Sequence, residues 1–244
     1  PAQFGGGGTD SISYVIAVEE LSKVCATTGV ILSAHNSLFC DPLLKFGTPG
    51  QHEKYLLPAV TGKKLGAFAL TEPNAGTDSA SQVTRAVKVE NGYRITGSKI
   101  FITNGGEADF YIIFAMTDAS KGTRGISAFI IEKRWPEFEF GRVEEKMGIH
   151  GSSTRELIFE DLFVPQENLL GEEDKGFKIA MQTLDGGRIG IAAQAVGIAQ
   201  GALDQTVTYI KQRKQFNQEI AKFQAIQFTV ADMETRTSAA RLLT

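Results

Sequence analysis

The sequence predicts an α+β chain of several domains: helices first, then an antiparallel β-sandwich or barrel, then the start of a helical bundle. Three observations predict it. The apolar period is helical to about residue 62, falls to two or becomes continuous between residues 65 and 164, and turns helical again from about residue 174. Several strands follow one another with no helical stretch between them, which favours antiparallel pairing. The last region holds two long amphipathic patterns, which need further helices to cover their apolar stripes. The expected boundaries are residues 1–64 for part of an N-terminal helical domain, 65–165 for a middle β-domain and 166–244 for the first helices of an incomplete C-terminal bundle.

The elements follow in order. Ile12, Val15, Ile16 and Leu21 open a first helix, with Asp10 or Ser11 as its cap. Gly29 is expected to break it, residues 30–46 resume, and Pro49 restarts a third helix through Tyr55 and Leu56. Val83, Arg85, Val87 and Val89 share one parity, residues 90–93 (ENGY) read as a hairpin turn, and residues 94–102 return. Residues 110–116, 126–131 and 157–164 are further strands, rich in Ile, Phe and Val. Ile189, Ala192, Val196, Ala199, Leu203, Val207 and Ile210 then recur at helical spacing, and Phe223, Ile226, Val230, Met233 and Thr237 do so again. Gly190, Gly197 and Gly201 form a face of small residues where another helix can come close.

Composition narrows the function. The 244 residues are 42% hydrophobic and 22% charged, with net charge −3, as in an ordinary globular protein. No Lys or Arg block points to nucleic acid or an anionic membrane, and the longest apolar run is too short to span a bilayer. The two cysteines, Cys25 and Cys40, lack metal-ligand spacing, and Cys25 is expected to be a buried thiol. Low cysteine use suits a reducing compartment. The opening PAQFGGGG and the closing SAARLLT, in mid-helix, read as the cut ends of a fragment.

Four stretches carry chemistry. Residues 70–81 (LTEPNAGTDSAS) crowd Pro, Gly, acids and hydroxyls together after an apolar run; taken alone, this is a surface turn. Residues 98–106 (SKIFITNGG) end a strand with an aromatic, an apolar residue and a hydroxyl; taken alone, this is a strand end packing its Phe. Together they offer hydroxyls and loop amides for the polar rim of a flavin and an apolar wall for its face. Residues 184–188 (LDGGR) place Asp185 and Arg188 on one helical face, as a local ion pair or a joint ligand contact, and their two glycines ask for a close neighbour or a bend. Residues 211–216 (KQRKQF), with Phe223 and Gln224, read as a solvated helix end or a phosphate contact through Arg213.

These stretches, with residues 145–150 (EKMGIH) and 176–193 (GFKIAMQTLDGGRIGIAA), resemble the acyl-CoA dehydrogenase family, most closely its short-chain, butyryl-CoA type. The resemblance runs from Gly6 onward. It implies FAD between the β-domain and the C-terminal bundle, contacted by Phe68, Leu70, Thr71 and Thr77. It also implies a flavin-face aromatic at Phe101 (usually Trp), then Ile102, then Thr103 with its hydroxyl near flavin N5. Asp185, Arg188 and Thr77 are implied for acyl-CoA. Arg213, Gln215, Phe216 and Gln224 match residues that reach the FAD of a neighbouring subunit, so a homotetramer is implied, as is an electron-transfer flavoprotein as acceptor. The place of action would be the cytoplasm in a bacterium or the mitochondrial matrix in a eukaryote.

The implied reaction removes an α-proton and a β-hydride from the acyl chain to give a trans-2-enoyl-CoA, a task for a carboxylate and a flavin. In isovaleryl- and long-chain-type relatives the carboxylate stands at the position of Gly187, which has no side chain. In the short-chain pattern it is a Glu near the C-terminus, in a segment outside this chain. Glu72 is a tempting substitute, but its motif gives it no such role, so no catalytic base is assigned. Rival readings are an acyl-CoA oxidase or flavoprotein hydroxylase on the same scaffold, or an FAD-binding module without turnover.

Overall fold

A computed structural model describes residues 1–244, which fall into two compact units: residues 1–8 with 33–187, and residues 9–32 with 188–244. The elements run α1 (Ser11–Val24), α2 (Ala26–Ser33), a π-helical turn (Ala34–Cys40), α3 (Asp41–Phe46), α4 (Pro49–Gln51) and α5 (Leu57–Val60). Strands follow as β1 (Gly66–Ala69), β2 (Arg85–Val89), β3 (Gly92–Thr103), β4 (Phe110–Met116), β5 (Ile126–Glu132), β6 (Phe138–Val143), β7 (Thr154–Pro165) and β8 (Leu169–Leu170). The long α6 (Gly176–Gln212), the two-residue strands β9 (Lys214–Gln215) and β10 (Gln218–Glu219), and α7 (Gln224–Leu243) complete the chain.

The first unit is built on one sheet, ordered β6-β7-β3-β2-β4-β5-β8, with β1 added beside β4. β4 and β5 are buried on both faces because their residues alternate between two cores. Tyr111, Ile113 and Ala115 of β4 meet Ile95, Phe129, Leu157 and Phe159 on one side. Phe110, Ile112 and Phe114 meet Phe39, Leu43, Tyr55 and Ile179 on the other, where helical segments cover the sheet. The predicted strands are present, and Asn91, at φ 63°, makes the expected β2–β3 turn.

Three expectations need correction. The sheet is an open path with β6 and β8 at its ends, so no closed barrel forms. β1 pairs with β4 in parallel, Gly66 opposite Phe110, and β2 meets β4 in parallel at Arg85 and Met116. Alternation reports which face a residue takes, not strand direction; here the β2–β3 hairpin lies within the crossover that parallel pairing of β1 and β4 requires. Third, β6 escaped notice because Glu139, Gly141 and Arg142 blur its period.

In the second unit, Asp10 caps α1, accepting from the Ser13 amide at 2.8 Å. The break after α1 falls at Cys25, which is extended (φ −148°, ψ 102°), and Cys25 is exposed, not buried. Gly29 continues α2 without breaking it: a Cβ there would overlap Ser22, so this glycine serves a close approach. Two of the three glycines expected to form a small-residue face on α6 meet a close neighbour: added Cβ atoms at Gly197 and Gly201 would strike the carbonyl oxygens of Glu19 and Lys23 on α1. A polar chain ties α1, α6 and α7: Glu19 accepts from Arg241 at 2.7 Å, Arg241 donates to Gln200 at 2.8 Å, and Gln200 donates to Asp204 at 2.7 Å. Asp204 closes it on Lys23 at 3.0 Å. Ile12, Ile16 and Phe228 stay exposed. No helix is long and apolar enough to cross a membrane.

Candidate functional site

The stretch after β1 is a shaped loop held against β3. Glu72 and Ala75 exchange backbone hydrogen bonds at 3.1 Å, folding Pro73 and Asn74 into a tight outward turn. The Ile100 amide donates to the Thr71 carbonyl at 2.9 Å, so the two stretches that sequence alone could only list separately lie side by side. Beneath this seam is a fully buried ion pair, Lys99 Nζ to Glu72 Oε1 at 2.7 Å. Lys99 also donates to the Leu70 carbonyl at 3.1 Å and to Gln82 Oε1 at 2.8 Å. The Glu72 carboxylate accepts from the Val83 amide at 2.7 Å and the Thr84 amide at 3.2 Å.

The electrostatics follow from that geometry. Burial pushes the Glu72 carboxyl up, but the Lys99 charge and the donors around it more than offset this, leaving it below the usual carboxylate range. Burial lowers the Lys99 ammonium to about 8 against the pull of Glu72. Glu72 is an ionised structural anchor with its oxygens engaged. It is no stand-in for a catalytic base.

Phe101 is the most informative residue of the seam. The β3–β7 register shifts between Lys99 and Ile102, and inside this bulge Phe101 takes φ 58°, a conformation unusual for a bulky residue. The bulge turns the ring outward, leaving it 56% exposed, so it does not pack as a strand-end Phe. Strain combined with an exposed aromatic makes this seam a candidate ligand surface. Thr103 and Thr71 are half-buried, Thr77 is exposed, and Gly76 faces open space. Phe68 is half-buried against Phe114, ring centroids 5.0 Å apart. Leu70 and Ile102 are core residues, 7% and 2% exposed, so their part in any cofactor contact falls to the backbone. Behind the strand end, Asn104 (φ 63°) starts the glycine turn and donates to the Gly66 carbonyl at 3.4 Å, while Tyr111 donates to Gly105 and Ala108.

The remaining predicted residues lie on α6 and beyond it. Asp185 and Arg188 are exposed on an unbroken helix. Of the two glycines between them, only Gly187 needs its missing side chain, since a Cβ would stand 2.7 Å from Leu38 Cδ2; Gly186 has nothing within 4 Å. α6 ends inside the charged run, at Gln212. Arg213 begins a small β9–β10 hairpin whose turn places Phe216 (φ 51°) and Asn217 (φ 61°) in left-handed conformation, with Phe216 88% exposed. Its ring meets Phe223 edge-on at 6.2 Å, and Arg213, Gln215 and Gln224 are exposed. Sequence reasoning missed this hairpin and the Lys99–Glu72–Gln82 network. The signal for the network was a lone Lys in an otherwise apolar strand end.

The seam fits a flavin on its own chemistry: a projecting aromatic, flanking hydroxyls and an exposed loop. Three family models match: acyl-CoA dehydrogenase N-terminal domain over residues 1–63, middle domain over 67–162 and C-terminal domain over 174–244. The chain belongs to the acyl-CoA dehydrogenase family. It is 60% identical over 241 residues to the short-chain specific acyl-CoA dehydrogenase of Clostridium acetobutylicum, covering 99% of this chain and 64% of that relative. The structure of butyryl-CoA dehydrogenase from Megasphaera elsdenii matches with TM-score 0.97 and 57% identity, covering 100% of this chain and 64% of that one. A chain solved in work on the electron transferring flavoprotein of Acidaminococcus fermentans matches with TM-score 0.98 and 60% identity, at the same coverage. This chain thus spans about 64% of the length of the relatives it matches.

Proposed function

We propose that the protein carrying this chain is an FAD-dependent dehydrogenase that converts a short-chain acyl-CoA to its trans-2-enoyl-CoA and passes the electrons to an electron-transfer flavoprotein. The observation that carries the reading is the seam that sets Phe101 and Thr103 beside the loop of Thr71 and Thr77. In it, Phe101 covers one face of the ring, and Thr71, Thr77 and Thr103 supply rim hydrogen bonds. Phe68 supports the seam through its packing on Phe114, and Leu70 and Ile102 present backbone groups. FAD, when bound, supplies the two-electron acceptor that saturated carbon requires.

Asp185, Arg188 and Thr77 orient the acyl-CoA. Arg213, Gln215, Phe216 and Gln224 reach the cofactor of a neighbouring subunit in a homotetramer; the outward set of Phe216 supports this. Residues 65–165 act as the flavin-binding middle domain between the helical segments 1–64 and 166–244. The α-proton goes to a carboxylate outside these residues, because Glu72 is committed to Lys99 and position 187 is glycine. In this reading the enzyme works in the cytoplasm of a bacterium, or in the mitochondrial matrix of a eukaryote.

The test is the full-length protein, loaded with FAD and mixed anaerobically with butyryl-CoA, beside longer and branched acyl-CoAs. Bleaching of the flavin fastest with butyryl-CoA is expected. A flavin that stays oxidised with every acyl-CoA would overturn the reading.

A further inference from the structure

The network under the seam has no counterpart in the chemistry just described. We propose that Lys99, Glu72 and Gln82 form a buried latch that sets the position of the 70–84 loop on β3, and thereby builds the flavin surface before the flavin arrives. The inference rests on the flavin reading of that seam.

Four features assign this role. The pair is fully buried, with side-chain exposure of 0% for Lys99 and 1% for Glu72, and each member is engaged repeatedly. Its partners come from both ends of the loop. Lys99 holds the start through Leu70 O, while Glu72 holds the finish through the amides of Val83 and Thr84. Gln82 joins the two, accepting from Lys99 at 2.8 Å and donating to the Ser79 carbonyl at 2.9 Å. Finally, the latch residue is two positions from Phe101 and four from Thr103, on the strand whose bulge turns Phe101 outward. The stretch from Thr71 to Thr77, which offers hydroxyls to the ring, is thus anchored at its base while its tip stays open at Gly76.

A buried ion pair is weak evidence for net stability, because desolvation offsets most of the attraction, yet loss of one member leaves the other charge stranded. That asymmetry makes the latch a setter of geometry. These are positioning residues, and none is offered as a proton donor or acceptor.

The experiment uses full-length protein in four forms: wild type, Lys99→Met, Gln82→Met and Glu72→Gln with Lys99→Met together. FAD affinity is read by titration, the flavin environment by its visible absorption band, and loop attachment by hydrogen exchange at the Ile100, Val83 and Thr84 amides. Expected are a fall in FAD affinity of at least tenfold for Lys99→Met and about threefold for Gln82→Met, with faster exchange at all three amides and a shifted flavin band at saturation. The double variant should recover part of the loss, since no unpaired charge remains. Gln82→Met strands no charge, so it decides the matter should Lys99→Met fail to fold. Wild type that binds no FAD would overturn the flavin reading and the latch's purpose with it. Wild type that binds FAD, with variants matching it in affinity, band and exchange, would overturn the latch alone.

Discussion

The left-handed backbone at Phe101 makes a prediction that separates strain from ligand contact. Phe101 is replaced in parallel by Ala and by Gly. A phenylalanine presents roughly 200 Å², and the ring is 56% exposed, so truncation gives up about 90 Å² of cover, or ~2 kcal/mol at ~25 cal/mol per Å². Both variants share that loss. They differ in the backbone: alanine at φ 58° still pays about 1–2 kcal/mol for the left-handed region, whereas glycine pays only its extra chain entropy, about 0.5–1 kcal/mol. Phe101→Gly should therefore be the more stable of the two by about 0.5–1 kcal/mol, the reverse of the order at an ordinary strand position. Urea unfolding of the FAD-free full-length protein reads this difference directly. FAD affinity answers the second question. Covering the remaining ~110 Å² of ring contributes up to ~3 kcal/mol, so both variants should bind FAD tenfold to a hundredfold more weakly. Alanine equal to or better than glycine would show that the bulge is not left-handed in solution, and affinities within threefold of wild type would remove Phe101 from the cofactor wall.

Thr103→Val should weaken FAD binding by only about 1 kcal/mol but slow flavin reduction by butyryl-CoA roughly tenfold or more, because a donor aimed at developing charge acts most on the reduced ring; unchanged reduction kinetics in stopped flow would exclude it. The helix glycines should split by sign. Gly186→Ala meets nothing within 4 Å and should stabilise by up to about 1 kcal/mol, while Gly197→Ala and Gly201→Ala press on backbone carbonyls of α1 and should cost about 1–3 kcal/mol each despite the same propensity gain; a uniform gain in thermal melts would refute the close crossing. His35 Nε2 bonds the Ala59 carbonyl at 3.1 Å and its Nδ1 accepts from the Gly66 amide at 3.0 Å, so the neutral ring is required, and burial holds its pKa below the usual value. The unfolded chain takes up a proton first, near about pH 6.5, so stability is full above that pH and falls as pH drops toward the lowered folded value. Melting temperature should therefore decline more steeply between pH 7.5 and 5 in wild type than in His35→Gln; parallel curves would show that His35 is not held neutral.

What the sequence reveals of this fold follows from what periodicity measures. A period of two tells which side chains share a face, so β3, β4, β5 and β7 were legible; whether β1 runs with or against β4 depends on a crossover between distant segments, and no local pattern encodes it. Gly29 shows a related limit. Its composition signal says that a side chain is excluded, and exclusion by a helix break and exclusion by Ser22 look identical until the partner is known. The candidate site divides along the same line. The LTEPNAGTD and FITNGG stretches were legible because turn residues and hydroxyls betray themselves locally, whereas Lys99 is a charged residue in an apolar strand and makes sense only with Glu72, 27 residues earlier in the sequence and 2.7 Å away in space. A buried charge is costly unless paired. A lone Lys or Glu inside an apolar strand is thus itself a request for a distant partner; the preceding loop holds two acids, Glu72 and Asp78, and in the structure Asp78 is satisfied locally by Ser81 at 2.5 Å. The residues alone therefore call for an acid of this loop without choosing between the two, and the choice of Glu72, which removes it as a base, is made by the fold.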